Sequence, residues 1–358
     1  MNLALMKHSI NILILTGTKT SNRAGGIGKA LESIMKGLKK ADIHYEFIPT
    51  YSSDAFSGKF FPWLKAIPII CCKLLARRGK SYTVWLHPGS YVSMLREGVI
   101  GVVCRMLGVK VYWQAHSVTT KNLFDSLLGR ICFRLITFGA TNFVVLTPWW
   151  SNEFEKITSK PIHIIPNAIN NKLPARSARL DNETIQILAA SRLVRGKGFE
   201  QVILAMENLE EKYHLYIAGE GKNKKALMNL VNERQLQDRV TFTGWLDQAN
   251  LEELFLKSSI FCLPSTYDSF GMVFIESMQR GIPIVASNWG PVSDVVVHEE
   301  VGLLVNPNDI NEISNAIKWI CTNSNLYTKM SKRGPEYVQE KFSIEALSCR
   351  LISVFKEV

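Results

Sequence analysis

Short, uninterrupted apolar runs recur along this chain, spaced so that a helix fits between each pair. In the first half they are Ile10–Thr16, Tyr45–Pro49, Thr83–His87, Val109–Ala115, Asn142–Thr147 and Ile162–Pro166. A strand that is apolar on both sides of its pleat must be covered on both faces, and helical crossovers supply that cover. The expected element is a parallel sheet wrapped by helices. The pattern stops across residues 167–183, a polar stretch with Pro174 and clustered charges, and restarts with Ile185–Ala190, His214–Ala218, Val240–Thr243, Ile260–Leu263 and Pro283–Ala286. Further helices are expected from Asp309 onward. Two α/β domains follow, over 1–167 and 184–342, joined by a linker at 168–183. A last helix over 343–358 is expected to cross back to the first domain. A length of 358 residues suits two domains of moderate size.

Charge divides unevenly between the halves. Residues 1–172 hold 22 lysines and arginines against 8 acids, whereas residues 173–358 hold 20 against 23. The net +11 therefore belongs to the first half, where an acidic partner should dock. Lys59-Phe-Phe-Pro-Trp-Leu-Lys65, the apolar Ala66–Cys72, and then Lys73, Arg77, Arg78 and Lys80 place aromatics between basic clusters. That pattern fits either a surface resting on anionic lipid or an ordinary helix with basic solvent positions. No nucleic-acid recognition module accompanies the charge, so nucleic acid is not an expected partner.

No apolar run of about 18 residues is present, so a membrane-spanning helix is not expected. Ile10–Leu15 lacks a small-residue cleavage pattern after it and reads as a buried first strand rather than a leader. The seven cysteines include no CxxC pair, which argues against zinc and against a disulfide framework, and points to a reducing compartment.

Ligands of parallel sheets bind beyond the carboxyl ends of the strands, so the residues just after each apolar run carry the functional reading. The densest signal runs from Pro264 to Glu276, through Tyr267, Asp268, Ser269, Phe270, Gly271, Met272 and Val273. A helix should begin near Gly271, where a small residue lets backbone N–H groups approach a phosphate. Glu276 then lies about one turn in, on the face of Met272, placed to accept ribose hydroxyls. Taken singly, Asp268 or Ser269 reads equally as a helix N-cap and Glu276 as a solvated helix residue. Ser191-Arg-Leu-Val-Arg-Gly-Lys-Gly198 directly follows a strand, and its Arg192 and Lys197 suit a diphosphate. Gly25-Gly26-Ile-Gly-Lys29 follows the first strand; it is neither GxGxxG nor a Walker A motif, and a tight turn explains it equally well. His116 closes the strand Val109–Ala115, where it meets either a polar substrate or only the core.

In their order along the chain, Gly25–Lys29, His116–Ser117, Ile165-Pro-Asn167, Arg192, Lys197, Gly219-Glu220-Gly221, Pro264–Gly281 and Val301–Pro307 resemble the retaining glycosyltransferases of family 4. The resemblance implies the GT-B fold, two Rossmann-like domains whose parallel sheets face each other across a cleft. It implies that Arg192 and Lys197 bind the donor diphosphate and stabilise it as leaving group, and that Glu276 binds ribose. Asp268 would be the first acid, touching the donor sugar. Gly271, Met272 and Val273 would offer backbone N–H groups to the phosphates, with Ser269, Phe270 and Glu220 lining the donor site. His116 would be the active-site histidine near the transferred sugar, and Gly26 the first-domain loop that approaches the donor.

The chain departs from the pattern at Asp268, where Glu is usual, at Ser191, Trp289 and Asp294. No Asp-x-Asp triplet occurs, so nothing points to a metal-bound diphosphate, and no cofactor is expected. The implied function is retaining transfer of a hexosyl group from a nucleotide-diphosphate sugar, UDP-linked on family frequency. The acceptor would be a glycan or lipid-linked sugar of surface polysaccharide or lipopolysaccharide synthesis. Cytoplasmic location is expected, with peripheral contact at the inner face of the membrane. A sugar-nucleotide epimerase of the same fold and a non-catalytic nucleotide-sugar-binding subunit are the alternative readings.

Overall fold

The computed structural model describes residues 10–18, 26–53, 55–76, 80–89, 91–116, 127–169 and 183–356, and the element numbers refer to these. The chain divides into two compact units, one of Met1–Ala168 with Ile344–Val358, the other of Ile169–Ser343. Most of the expected linker, residues 170–182, and Gly25, Arg77, Arg78 and Ser117 lie outside the described residues.

The sheet of the first unit contains β1 (Ile10–Thr18), β2 (Tyr45–Tyr51), β3 (Lys80–Leu86), β4 (Lys110–Gln114), β5 (Asn142–Val145) and β6 (Ile162–Ile164). All six are parallel, in the order β2-β1-β3-β4-β5-β6. The connecting helices are α1 (Gly26–Lys40), α2 (Phe56–Leu75), α3 (Tyr91–Met106), α4 (Leu127–Gly139) and α5 (Pro148–Glu155). Strand β1 is buried on both faces from Ile12 to Leu15, as its unbroken apolar run requires. The chain proceeds from β1 to β2 on one side and then to β3 on the other, so the order reverses between β1 and β3.

The second unit repeats the architecture with β7 (Ile185–Ala190), β8 (Tyr213–Ala218), β9 (Val240–Gly244), β10 (Ile260–Leu263), β11 (Ile284–Ser287) and β12 (Gly302–Val305). The order is β12-β11-β10-β7-β8-β9, again parallel, with its reversal between β7 and β10. Helices α6 (Phe199–Ala205), α7 (Lys224–Glu233), α8 (Gln248–Lys257), α9 (Met272–Gln279), α10 (Val292–Val295), α11 (Ile310–Thr322) and α12 (Ser324–Phe342) cover it. Strand β12 is absent from the runs singled out in the sequence. It has four residues and follows the polar Glu299-Glu300, and its pairing with β11 is what makes it a strand. Gly302 permits that pairing, because a Cβ there would sit 2.4 Å from the Ile284 carbonyl oxygen.

The final helix, α13 (Ile344–Phe355), packs on the first unit. Its Leu347, Leu351, Val354 and Phe355 join a core with Leu13, Leu31, Trp85 and Tyr112. The Phe355 ring lies 5.0 Å from Trp85 and 4.9 Å from Tyr112, centroid to centroid. Side chains of that size each contribute about 1.5–3 kcal/mol when withdrawn from water. The Lys40–Glu345 ion pair, 2.5 Å and exposed, adds little beside them.

Candidate active-site residues

In the second unit the reversal between β7 and β10 brings together the two loops that carried the strongest sequence signals. A reversal leaves the crossovers of neighbouring strands on opposite faces and opens a crevice at their carboxyl ends. Residues 191–198 follow β7, and residues 264–271 follow β10. Three hydrogen bonds join the loops at one atom, the Gly196 carbonyl oxygen. It accepts from Thr266 N–H at 2.8 Å, Ser265 Oγ at 3.2 Å and Thr266 Oγ1 at 3.3 Å. Gly198, at φ 90°, must be glycine, because a Cβ would lie 2.8 Å from the Pro264 carbonyl.

This seam places Lys197 beside Asp268. Lys197 Nζ donates to Asp268 Oδ1 at 2.5 Å, and the two side chains keep 9% and 12% of their surface exposed. The other carboxylate oxygen, Asp268 Oδ2, is sealed and bonds to no described residue. Arg192 is exposed, and its guanidinium bonds to none of the described residues, so its five donors remain available.

Gly271, at φ 87°, is the N-cap of α9 and provides no side-chain hydrogen bond to it. A Cβ there would lie 2.4 Å from the ring of buried Phe274. Neither Asp268 nor Ser269 is the N-cap residue, and the first-turn N–H groups at Met272 and Val273 retain the partial positive charge of a helix start. Glu276 is half-buried one turn on. Phe270 is buried edge-on against Phe342 at 5.7 Å, so it offers a ligand its backbone rather than its ring. The loop at Gly219–Gly221 is bonded to the same seam through Leu193 N–H, which donates to the Glu220 carbonyl at 3.0 Å. The Glu220 carboxylate pairs with Lys224 at 2.6 Å.

In the first unit, His87 and His116 end the adjacent strands β3 and β4, and their rings meet. His87 Nδ1 and His116 Nε2 are 2.9 Å apart. Burial drives both toward the neutral form, His116 down to about 3 and His87 well below its usual value, where the neighbouring His116 adds to the effect. Gly26, also expected at the site, opens α1.

A second polar cluster lies at the ends of β1 and β2. Glu97 on α3 is buried and accepts hydrogen bonds from Thr16 Oγ1, at 2.5 Å, and from Thr50 Oγ1. Burial raises its carboxyl pKa, outweighing the hydroxyl donors and the nearby Arg96 that favour the anion. The Arg96 Nε and Nη1 atoms are themselves sealed without a bonding partner among the described residues.

Of the residues expected from sequence, the second unit therefore joins Lys197 with Asp268, on the loop that ends at Gly271, the N-cap of α9. Glu97, Thr16, Thr50 and His87 were not singled out as functional. His87 had one legible signal, its place at the end of the run Thr83–His87; Glu97 lies mid-helix and had none.

The chain has relatives among known proteins. A family described as Glycosyl transferases group 1 matches residues 173–337. An uncharacterised glycosyltransferase of Haemophilus influenzae is 30% identical over 250 residues, covering 66% of this chain and 67% of that protein. LpsD of Rhizobium meliloti, a lipopolysaccharide core biosynthesis glycosyltransferase, is 29% identical over 217 residues, or 59% of this chain and 62% of LpsD. The matched region thus spans no more than about two thirds of either relative. The solved structure of Anabaena HepE in complex with UDP and glucose superimposes with a TM-score of 0.72 over 96% of this chain and 99% of that one, at 16% identity, which shows a common fold. Two parallel six-stranded α/β units, the matched family region and the relatives together establish that the chain is a GT-B glycosyltransferase and belongs to the glycosyl transferases group 1 family.

Proposed function

We propose that this glycosyltransferase moves a hexosyl group, with retention, from UDP-sugar to a hydroxyl of a glycan or lipid-linked acceptor in surface polysaccharide assembly. The observation that carries the reading is the seam at the β7/β10 reversal. It holds Lys197 in place, leaves Arg192 without a partner among the described residues and presents a helix start whose cap is a glycine. Two cations and aligned N–H groups together suit a diphosphate. UDP is preferred because the HepE structure of the same fold holds UDP and glucose, and lipopolysaccharide synthesis because LpsD is named for it.

In the proposed reaction the bond from the sugar's anomeric carbon to the diphosphate oxygen breaks. A bond to the acceptor oxygen forms on the same face, which preserves configuration. The acceptor's proton passes to a diphosphate oxygen. Arg192, Lys197 and the α9 start meet the charge that grows on the leaving group, and one such preorganised donor is commonly worth about 3 kcal/mol. Glu276 would hold the ribose, Asp268 the sugar, and His116 the sugar from the first domain. The exposed Phe56, Phe61 and Leu64 of α2, interleaved with Lys59 and Lys65, would rest on anionic lipid at the inner face of the cytoplasmic membrane.

Thermal unfolding with UDP, GDP and their sugars tests the donor class, because a ligand that binds only the folded chain raises Tm. UDP and UDP-sugars should raise it, and Arg192→Ala or Lys197→Ala should abolish the shift. A shift with GDP alone, or full turnover in both variants, refutes the assignment.

A further inference from the structure

We infer that His87 is a positioning residue for His116, holding its ring so that Nδ1 is the atom offered to a ligand. This role deepens the reading of His116 as a sugar-facing residue and rests on it in that respect.

Strands β3 and β4 pair in register, Leu86 opposite Trp113, so the residues just beyond them emerge side by side. The His87 and His116 rings lie 5.2 Å apart between centroids, tilted by 31°, with His87 Nδ1 at 2.9 Å from His116 Nε2. Two neutral imidazoles at that separation share one hydrogen bond, one ring donating and the other accepting. His116 Nε2 is therefore engaged. His116 Nδ1 bonds to no described residue, so it is the nitrogen that this pairing leaves for a ligand.

His87 is itself fixed. Its ring rests on Trp85 at 4.5 Å, and its Cβ lies so near Gly17 that a side chain there would approach it to 3.2 Å. Its far nitrogen, Nε2, is sealed and has no partner among the described residues. A ring enclosed in this way cannot turn to another partner without breaking its one hydrogen bond. That loss would leave buried groups unpaired. The residue acts through His116, and nothing about it requires contact with substrate.

The test separates ring geometry from turnover. In the unliganded chain, 15N spectra of the histidine side chains should show His116 Nε2 hydrogen-bonded, and His87→Phe should move that resonance while the far-ultraviolet circular dichroism stays unchanged. With UDP-glucose as the probe, the His116 Nδ1 resonance should move more than Nε2. In turnover, His87→Phe should lower kcat by roughly tenfold or more with KM little changed, the signature of a misaligned group. His87→Asn, whose amide occupies the position of Nδ1, should restore much of the loss. His116→Asn should likewise outperform His116→Gln, because Asn mimics Nδ1 and Gln mimics Nε2. An unmoved Nε2 resonance in His87→Phe, unchanged kcat in that variant, or a more active His116→Gln would each overturn the inference. Absence of any response to UDP-glucose at His116, with the Nε2 change intact, would refute the sugar-facing role of His116 and leave the pairing standing.

Discussion

Lys197 Nζ lies 2.5 Å from Asp268 Oδ1 inside the second unit, so the cation assigned to the diphosphate is already held by the carboxylate assigned to the sugar. A pair so withdrawn from water is weakly favourable as a pair, but costly to break on one side. Lys197→Ala should therefore destabilise the second unit by about 3–5 kcal/mol, and Asp268→Ala by a similar amount. The double variant should recover much of that loss, which urea unfolding of all four chains would measure. If the two single losses simply add, the residues are not energetically coupled.

Gly219 and Gly221 matter through backbone contact alone. A Cβ at Gly219 would lie 2.0 Å from the Ser191 carbonyl oxygen, and one at Gly221 would lie 2.2 Å from that of Leu193. Neither carbonyl can move without disturbing the loop that carries Arg192 and Lys197. Gly219→Ala and Gly221→Ala should each destabilise by about 3 kcal/mol or more, measured by urea unfolding. Gly290 is the control, with φ 64° and nothing within 4 Å of where a Cβ would stand. Alanine there should cost only backbone strain, of order 1 kcal/mol.

The buried histidines set a pH dependence. Folded, His116 resists protonation down to about 3 and His87 is likewise displaced downward, whereas both take up a proton near 6.5 when unfolded. Below that pH the unfolded chain binds more protons, so stability must fall as pH falls. Above it the contribution is fully present. The loss should approach about 1.4 kcal/mol per pH unit for each histidine. Between about pH 7 and pH 5, the unfolding midpoint should fall further for the natural chain than for a His87→Asn/His116→Asn variant. Equal falls would place the sensitivity elsewhere.

The proposed lipid docking through α2 should depend more on the segment Lys59–Lys65 than on Lys73. Lys73 pairs with Glu46 at 2.6 Å, so part of its charge is already answered. Phe61 and Leu64 are exposed by 59% and 51%, and Lys65 stands between α2's apolar groups with no ion partner among the described residues. Phe61→Ser with Leu64→Ser, or Lys65→Glu, should weaken sedimentation with vesicles containing anionic lipid by several-fold, about 1 kcal/mol per charge. Binding equal to that of the natural chain would remove α2 from the membrane reading.

Much of this protein was determined locally and so was legible in one dimension. Apolar runs of strand length dictate buried parallel strands, as at Ile12–Leu15, because every side chain in the run needs cover. Gly271 dictates the start of α9, since its φ of 87° is open to glycine at little cost. What the sequence could not determine is which strand ends become neighbours. Lys197 and Asp268 are 71 residues apart, and His87 and His116 are 29 apart. Both pairs meet only because sheet order juxtaposes their strands. Strand β12 and the Thr16–Glu97–Thr50 cluster belong to the same class. Local periodicity fixes an element because it follows from the chain's own geometry; adjacency is fixed by the burial of many distant side chains at once, and only the folded sheets decide it.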